Sequence, residues 1–237
     1  MIGNTVNKQI HQNQQNQQSQ QNKTWHRLVT SVVVASSLII GSGSAYASAV
    51  EQFKSFVSNS KSAKGDFIQQ QVKVVDGKPK VIKTSNGTFV FARPGKFIWT
   101  YQKPYEQVLQ ADGDKLFIYD KDLNQVTVKE LGNALGSSPA AILFAGAGTA
   151  DLEKNFILKD VADKQGLEWL EATPKTKDSQ FEHIGIGMKD GVPYALELRD
   201  SFGQASLITL KNLEKNPALK ADQFKFVVPA GADVFRQ

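Results

Sequence analysis

Two periodicities divide the chain. In residues 49–60, AVEQFKSFVSNS, the apolar positions Val50, Phe53, Phe56 and Val57 recur at spacings of three and four. That spacing predicts one apolar face of a short helix. From Asp66 the period becomes two and mostly stays there. QQVKVV is followed by Asp76, Gly77, Lys78 and Pro79, a hairpin signal. GTFVFAR, KFIWTY, EQVLQAD, KLFIYD and NQVTVKE come next, separated by turn residues such as Pro94, Gly95, Pro104 and Gly113. Five or six antiparallel strands in meander order are expected there.

GNALGSSPAAILFAGAG interrupts this rhythm. Ser138 is placed to cap a helix and Pro139 to open it. The stretch from Ala140 to Ala145, with Ile142, Leu143 and Phe144, is apolar almost all round, so such a helix must be covered or lie over something greasy. Strand patterns then resume in NFILKDV, GLEWLEA, FEHIGIGM, PYALELRD, ASLITLKNL and FKFVV. The expectation is a mostly β protein of about eleven antiparallel strands, closed or nearly closed on itself, with two or three short helices inserted.

Period two also assigns faces. Phe89, Phe91 and Arg93 share one face of their strand, and Phe97, Trp99 and Tyr101 share one face of the next. Phe117, Tyr119, Phe224, Phe226 and Val228 are expected to join them inside. Two arrangements fit: the rings fill an ordinary core, or they line a barrel interior that side chains leave partly empty. Arg93 has two places as well. Inward, its guanidinium needs carbonyls or a cavity rim; outward, it begins the turn at Pro94.

The first 47 residues differ in kind. QIHQNQQNQQSQQN is too polar to build a core. Lys23, His26 and Arg27 precede the apolar run LVTSVVVASSLIIG, which is short for a membrane span. Ala45 and Ala47 then supply a small-x-small site, so residues 1–47 read as a cleavable secretory leader and 48–237 as one exported domain. The 28 basic and 23 acidic residues give a net charge of +5. Lys8, Lys23 and Arg27 lie in the leader, which has no acid, and without them 25 basic residues face 23 acidic ones. The basic character is thus mostly the leader's, and no clustered charge suggests nucleic acid.

The chain has no cysteine, which excludes disulfides, thiolate nucleophiles and Cys-held metals. Beyond the leader only His183 remains among the histidines, with no Ser or carboxylate set around it. GIG at Gly185 to Gly187 lacks a nucleotide-binding context and suggests a strand bulge. The aspartates Asp112, Asp114, Asp120 and Asp122 flank turns without EF-hand spacing. No enzyme, metal or cofactor is expected.

The run FVFARPGKFIWTYQKPYEQVLQADGDKLFIYDKDLNQ, the preceding GDFIQQ, the SSPAAILFAG insertion and the closing FKFVVPAGADV together resemble the LolA family of periplasmic outer-membrane lipoprotein carriers. The resemblance spans essentially all of residues 48–237. It implies an unclosed antiparallel β-barrel under an α-helical lid, with an apolar cavity for acyl chains. It makes Arg93 the latch that bonds lid carbonyls. Phe97, with Phe89, Phe91, Trp99 and Tyr101, becomes the surface for cargo and partners. Phe53, Val57, Pro139, Ile142, Leu143 and Phe144 are assigned to the lid. The implied partners are acylated lipoproteins as cargo, an inner-membrane lipoprotein-releasing ABC transporter as donor and an outer-membrane lipoprotein receptor as acceptor, with the carrier a periplasmic monomer. A general lipid-binding or lipid-sensing module of the same fold is the alternative. The physics suits a carrier, since each acyl CH₂ exposed to water costs about 0.8 kcal/mol.

Overall fold

Period-two sequence with β-branched and aromatic residues forms one twelve-stranded sheet in a computed structural model of the chain. The structure describes residues 47–131, 143, 148–175, 181–200, 202, 204–220 and 222–237. Helix α1 (Ala49–Asn59) leads into β1 (Ser62–Val75), β2 (Lys78–Ala92), β3 (Lys96–Lys103), β4 (Gln107–Asp112), β5 (Lys115–Asp120) and β6 (Gln125–Glu130). After α2 (Thr149–Asn155) come β7 (Phe156–Lys164), β8 (Leu167–Pro174), β9 (Phe181–Lys189), β10 (Val192–Asp200), β11 (Ala205–Lys215) and β12 (Asp233–Arg236). The expected leader up to residue 46, and Ser138, Pro139, Ile142 and Phe144, lie outside the described residues.

The strand order is β12-β6-β5-β4-β3-β2-β1-β11-β10-β9-β8-β7, with β12 and β7 as unpaired edges, so the sheet is not closed. Tight turns fix the register locally. Asp76 and Gly77, Gln165 and Gly166, and Asp190 and Gly191 all take positive φ between paired strands, as type I′ hairpins demand. Long-range register is set by β1 on β11, where Phe67 faces Leu210 and Gln69 faces Ile208.

Three expectations change. FKFVV is not a strand; the twelfth strand lies five residues on, and it pairs parallel to β6 with Asp233 opposite Gln125. The chain gets there by crossing the outer face. Phe117 alternates with the core residue Leu116, so it points away from the core, and its ring stacks on Phe226 at 4.5 Å. Val126 and Phe224 are also buried apart from the main core. Tyr119 shares the outer side with Phe117, and Val228 is exposed. These residues hold the C-terminal segment on the sheet's back instead of lining its interior. Finally, Gly185 and Gly187 pair in regular register with β8, and the irregularity beside them lies on β10, where Tyr194 is the extra residue opposite the Met188–Gly187 step. A Cβ at Gly187 would stand 2.9 Å from the Trp169 ring, so these glycines form the floor under that indole.

Candidate functional site

The concave face is built around rings whose room comes from glycine. Phe89 on β2 lies opposite Gly65 on β1, and Phe67 on β1 lies opposite Gly87 on β2. A Cβ at Gly65 would meet the Phe89 ring at 2.9 Å, and one at Gly87 would meet the Phe67 ring at 2.9 Å. Each phenyl therefore lies flat over a cross-strand glycine. Phe67 then stacks on Trp99 at 4.0 Å between ring centres, and Phe89 on Trp99 at 5.7 Å. Phe91 and Phe97, paired across β2 and β3, are buried alongside. Of the five expected cargo-face residues, Phe89, Phe91, Phe97 and Trp99 are all in the core. They form the buried aromatic part of that face.

Tyr101 marks the end of the stack. Its hydroxyl donates to Gln69 Oε1 at 2.8 Å, and burial pushes its pKa up to about 12. Beyond it a cavity of about 540 Å³ opens, lined by Gln69, Gln71, Ser85, Tyr101 and Gln107 among others. The interior thus changes from aromatic to polar along the strands.

Helix α1 covers the aromatic end. Ser48 Oγ accepts from the Glu51 amide at 3.3 Å, the capping bond that Ser-x-x-Glu predicts. The helix lays Phe53, Phe56 and Val57 onto the inner face, all buried, with the Phe56 ring edge-on to Phe91 at 6.5 Å. Its far end meets Asn216, whose Oδ1 accepts from the Lys61 amide at 2.9 Å while its Nδ2 donates to the Asn59 carbonyl at 3.0 Å. Lys54 reaches Glu153 of α2 at 2.8 Å.

Arg93 sits where these parts meet, directly after β2. It is inward: the guanidinium lies 4.9 Å over the Phe91 ring, on the face that period two assigned to it. Nε donates to the Ser60 carbonyl at 3.1 Å, and Nη2 donates to the Leu143 carbonyl at 2.6 Å. One side chain therefore joins the end of α1 to buried, helical Leu143, fifty positions away. Nη1 is buried with no hydrogen-bond partner among the described residues. Burial lowers the Arg93 pKa to about 10, which leaves it charged at neutral pH. A charge-assisted hydrogen bond contributes about 1.5–3 kcal/mol, so two such bonds form a firm but reversible clasp.

Three participants escaped the sequence reading. Ser60 contributes only a carbonyl, so its side chain carries no signal. Gln69 looks like one more polar residue in a Gln-rich strand. Asn216 was findable, because Asn before Pro217 is a turn signal. His183, the one histidine beyond the leader, is partly exposed and 3.2 Å from Glu171.

The family described as outer membrane lipoprotein carrier protein LolA matches residues 58–227. The outer-membrane lipoprotein carrier protein of Cupriavidus necator is 56% identical over 212 residues, which is 90% of this chain and 99% of that one. The protein of the same description from Ralstonia nicotianae is 51% identical over 217 residues, covering 91% and 98%. A solved LolA superfamily protein from Nitrosomonas europaea covers 76% of this chain and 99% of its own at a TM-score of 0.44 and 10% identity.

Proposed function

Because this chain belongs to the LolA family of outer-membrane lipoprotein carriers, we propose that it shields the acyl chains of lipoproteins on its concave face and that Arg93 governs the exchange. The observation that carries this reading is the pair of bonds from Arg93 to the carbonyls of Ser60 and Leu143 over an aromatic surface. In this form the rings and α1 cover one another, with Phe53, Phe56 and Val57 buried in the same core as Phe91 and Phe97. Acyl chains enter by displacing Phe53, Phe56 and Val57 from the rings, exchanging one apolar contact for another. The polar contacts given up on opening then include the Arg93 bonds and the ties of α1 to Asp160, Gly191 and Glu153. Those bonds close the empty carrier and so favour release.

The cargo is loaded from an inner-membrane ABC-type extractor and unloaded to an outer-membrane receptor. The carrier works in the periplasm as a monomer, after removal of residues 1–47. It carries out no chemistry on the lipid. Phe97, beside Phe91 at the clasped end, would be among the first residues that cargo or a partner meets when α1 lifts.

The test is native mass spectrometry of the chain recovered from a periplasm with a co-expressed lipoprotein. A one-to-one complex is expected, and it should vanish when the cargo's acylated cysteine is replaced. Arg93→Leu should remain folded and load cargo, yet pass it on at least tenfold more slowly. Phospholipid alone on the protein, or wild-type transfer by Arg93→Leu, would overturn the reading.

A further inference from the structure

The β1–β2 hairpin outgrows the sheet. The β11 partner of β1 stops at Val72, and the β3 partner of β2 stops at Asn86. Beyond those points the two strands pair only with each other, Val72 with Val81, Lys73 with Lys80, Val74 with Pro79 and Val75 with Lys78. Paired residues share a face, so Val72, Val74, Pro79 and Val81 make one side of this arm, and Lys73, Lys78 and Lys80 lie on the other with Val75 beside Lys78. The register shift beside Val72 makes Ile82 an extra, bulged residue. Val74 is 61% exposed and Ile82 49%, and residues 72–84 hold four lysines against one acid, Asp76.

Lysines alone have a simple explanation, since they guard exposed strands against pairing with other chains. That explanation does not cover the apolar side, which an isolated hairpin has no reason to expose. The neighbouring turns repeat the feature. Because all strands between them are antiparallel, the β3–β4, β5–β6 and β10–β11 turns lie at the same end of the sheet as the arm. They carry Tyr105, Leu123 and Phe202, which are 65%, 68% and 87% exposed. Lys83 lies 5.5 Å over the Tyr105 ring, so arm and rim are continuous. The cavity of about 540 Å³ opens between them.

We propose that this arm and rim dock the protein on an anionic bilayer surface, Val72, Val74, Val81 and Ile82 entering the interface while the lysines lie among the phosphates. Apolar residues backed by lysine are the chemistry of an interfacial segment, with the ammonium groups reaching up to the headgroups. The contact depends on lipid charge, so it is weak and reversible in salt, and it places the open end of the sheet against the membrane. It goes beyond cargo carriage and does not depend on it, since the surface would bind vesicles that hold no lipoprotein.

Co-sedimentation of the exported chain with vesicles tests this, using phosphatidylcholine alone and with about one-third phosphatidylglycerol. Binding is expected only to the anionic vesicles, falling as salt rises from about 0.05 to about 0.5 M. Each lysine near such a surface is worth about fivefold (about 1 kcal/mol), so Lys73→Gln with Lys80→Gln should lose about 25-fold. Val74→Ser with Val81→Ser should also weaken binding, and both pairs are exposed enough to leave the melting temperature unchanged. Equal binding to neutral vesicles, no binding, no salt dependence in the unaltered chain, or lysine variants that bind like it would overturn the proposal. Undiminished binding by the serine variant would overturn insertion of the apolar side.

Discussion

At Gly87 the whole concave face depends on a missing methyl group. A Cβ there would stand 1.8 Å from the Thr100 carbonyl oxygen and 2.9 Å from Phe67, backbone on one side and a stacked ring on the other. Neither can yield, so Gly87→Ala should cost about 3 kcal/mol or more, read from denaturant unfolding. Gly166, with φ of +72° and open space around it, should lose only about 1 kcal/mol as Ala. Tyr101 gives a second residue-scale prediction. Its folded pKa of about 12 lies above the ordinary 10, so the folded chain keeps a proton that the unfolded chain has lost between those values. The contribution of Tyr101 to stability should be constant below pH 10 and fall between pH 10 and 12. Tyr101→Phe should remove that part of the slope in thermal melts at pH 9 and 11. Period two put Phe89 and Phe91 on one face with Arg93, and it was right. It carried no information that glycines across the ladder would let the rings lie flat.

Among the elements, the segment between β11 and β12 depends most on a few contacts. It crosses the outer face on Phe224 and on the Phe117–Phe226 stack before β12 docks on the edge of β6. Phe226→Ala should lower stability by about 2 kcal/mol and make the last twenty residues the first site of proteolysis. Phe117→Ala should do much the same, and the double variant should cost less than the sum by about 0.5–1.5 kcal/mol. The sequence marked Phe224 and Phe226 as alternating apolar residues, which is what a strand shows. A segment that lays the same two rings on a sheet's back, without a ladder, has the same pattern. Helix α1 was more legible, because its cap, its length and its three-four spacing all agree.

On the scale of the molecule, the sheet has two faces with different occupants, and the two tryptophans of the folded domain divide between them. Trp99 is stacked on the concave side; Trp169 lies over Gly185 and Gly187 on the other, its Nε1 donating to the Lys164 carbonyl at 3.1 Å. If acyl chains enter against the rings, a brominated fatty acid should quench Trp99 and spare Trp169. Fluorescence of Trp169→Phe and Trp99→Phe, each keeping one of the two, checks this directly. Quenching of Trp169 alone would place the lipid on the wrong face.

By itself the sequence determined most of the local content of this protein: where most strands run, where a turn such as Asp76 and Gly77 reverses them, that the segment from Ala49 is a helix and which residues want burial. Those are properties of neighbours along the chain, set by propensity, period and turn chemistry. It also placed Arg93 beside the rings, since alternation fixes which side chains share a face. Only the tertiary structure decided what occupies each face. It turned Phe117 and Phe226 outward, paired β12 parallel to β6, left the sheet open between β7 and β12, and brought the carbonyls of Ser60 and Leu143 to one guanidinium. A carbonyl belongs to every residue, so no side-chain pattern can announce that a particular one will be the partner of a buried charge.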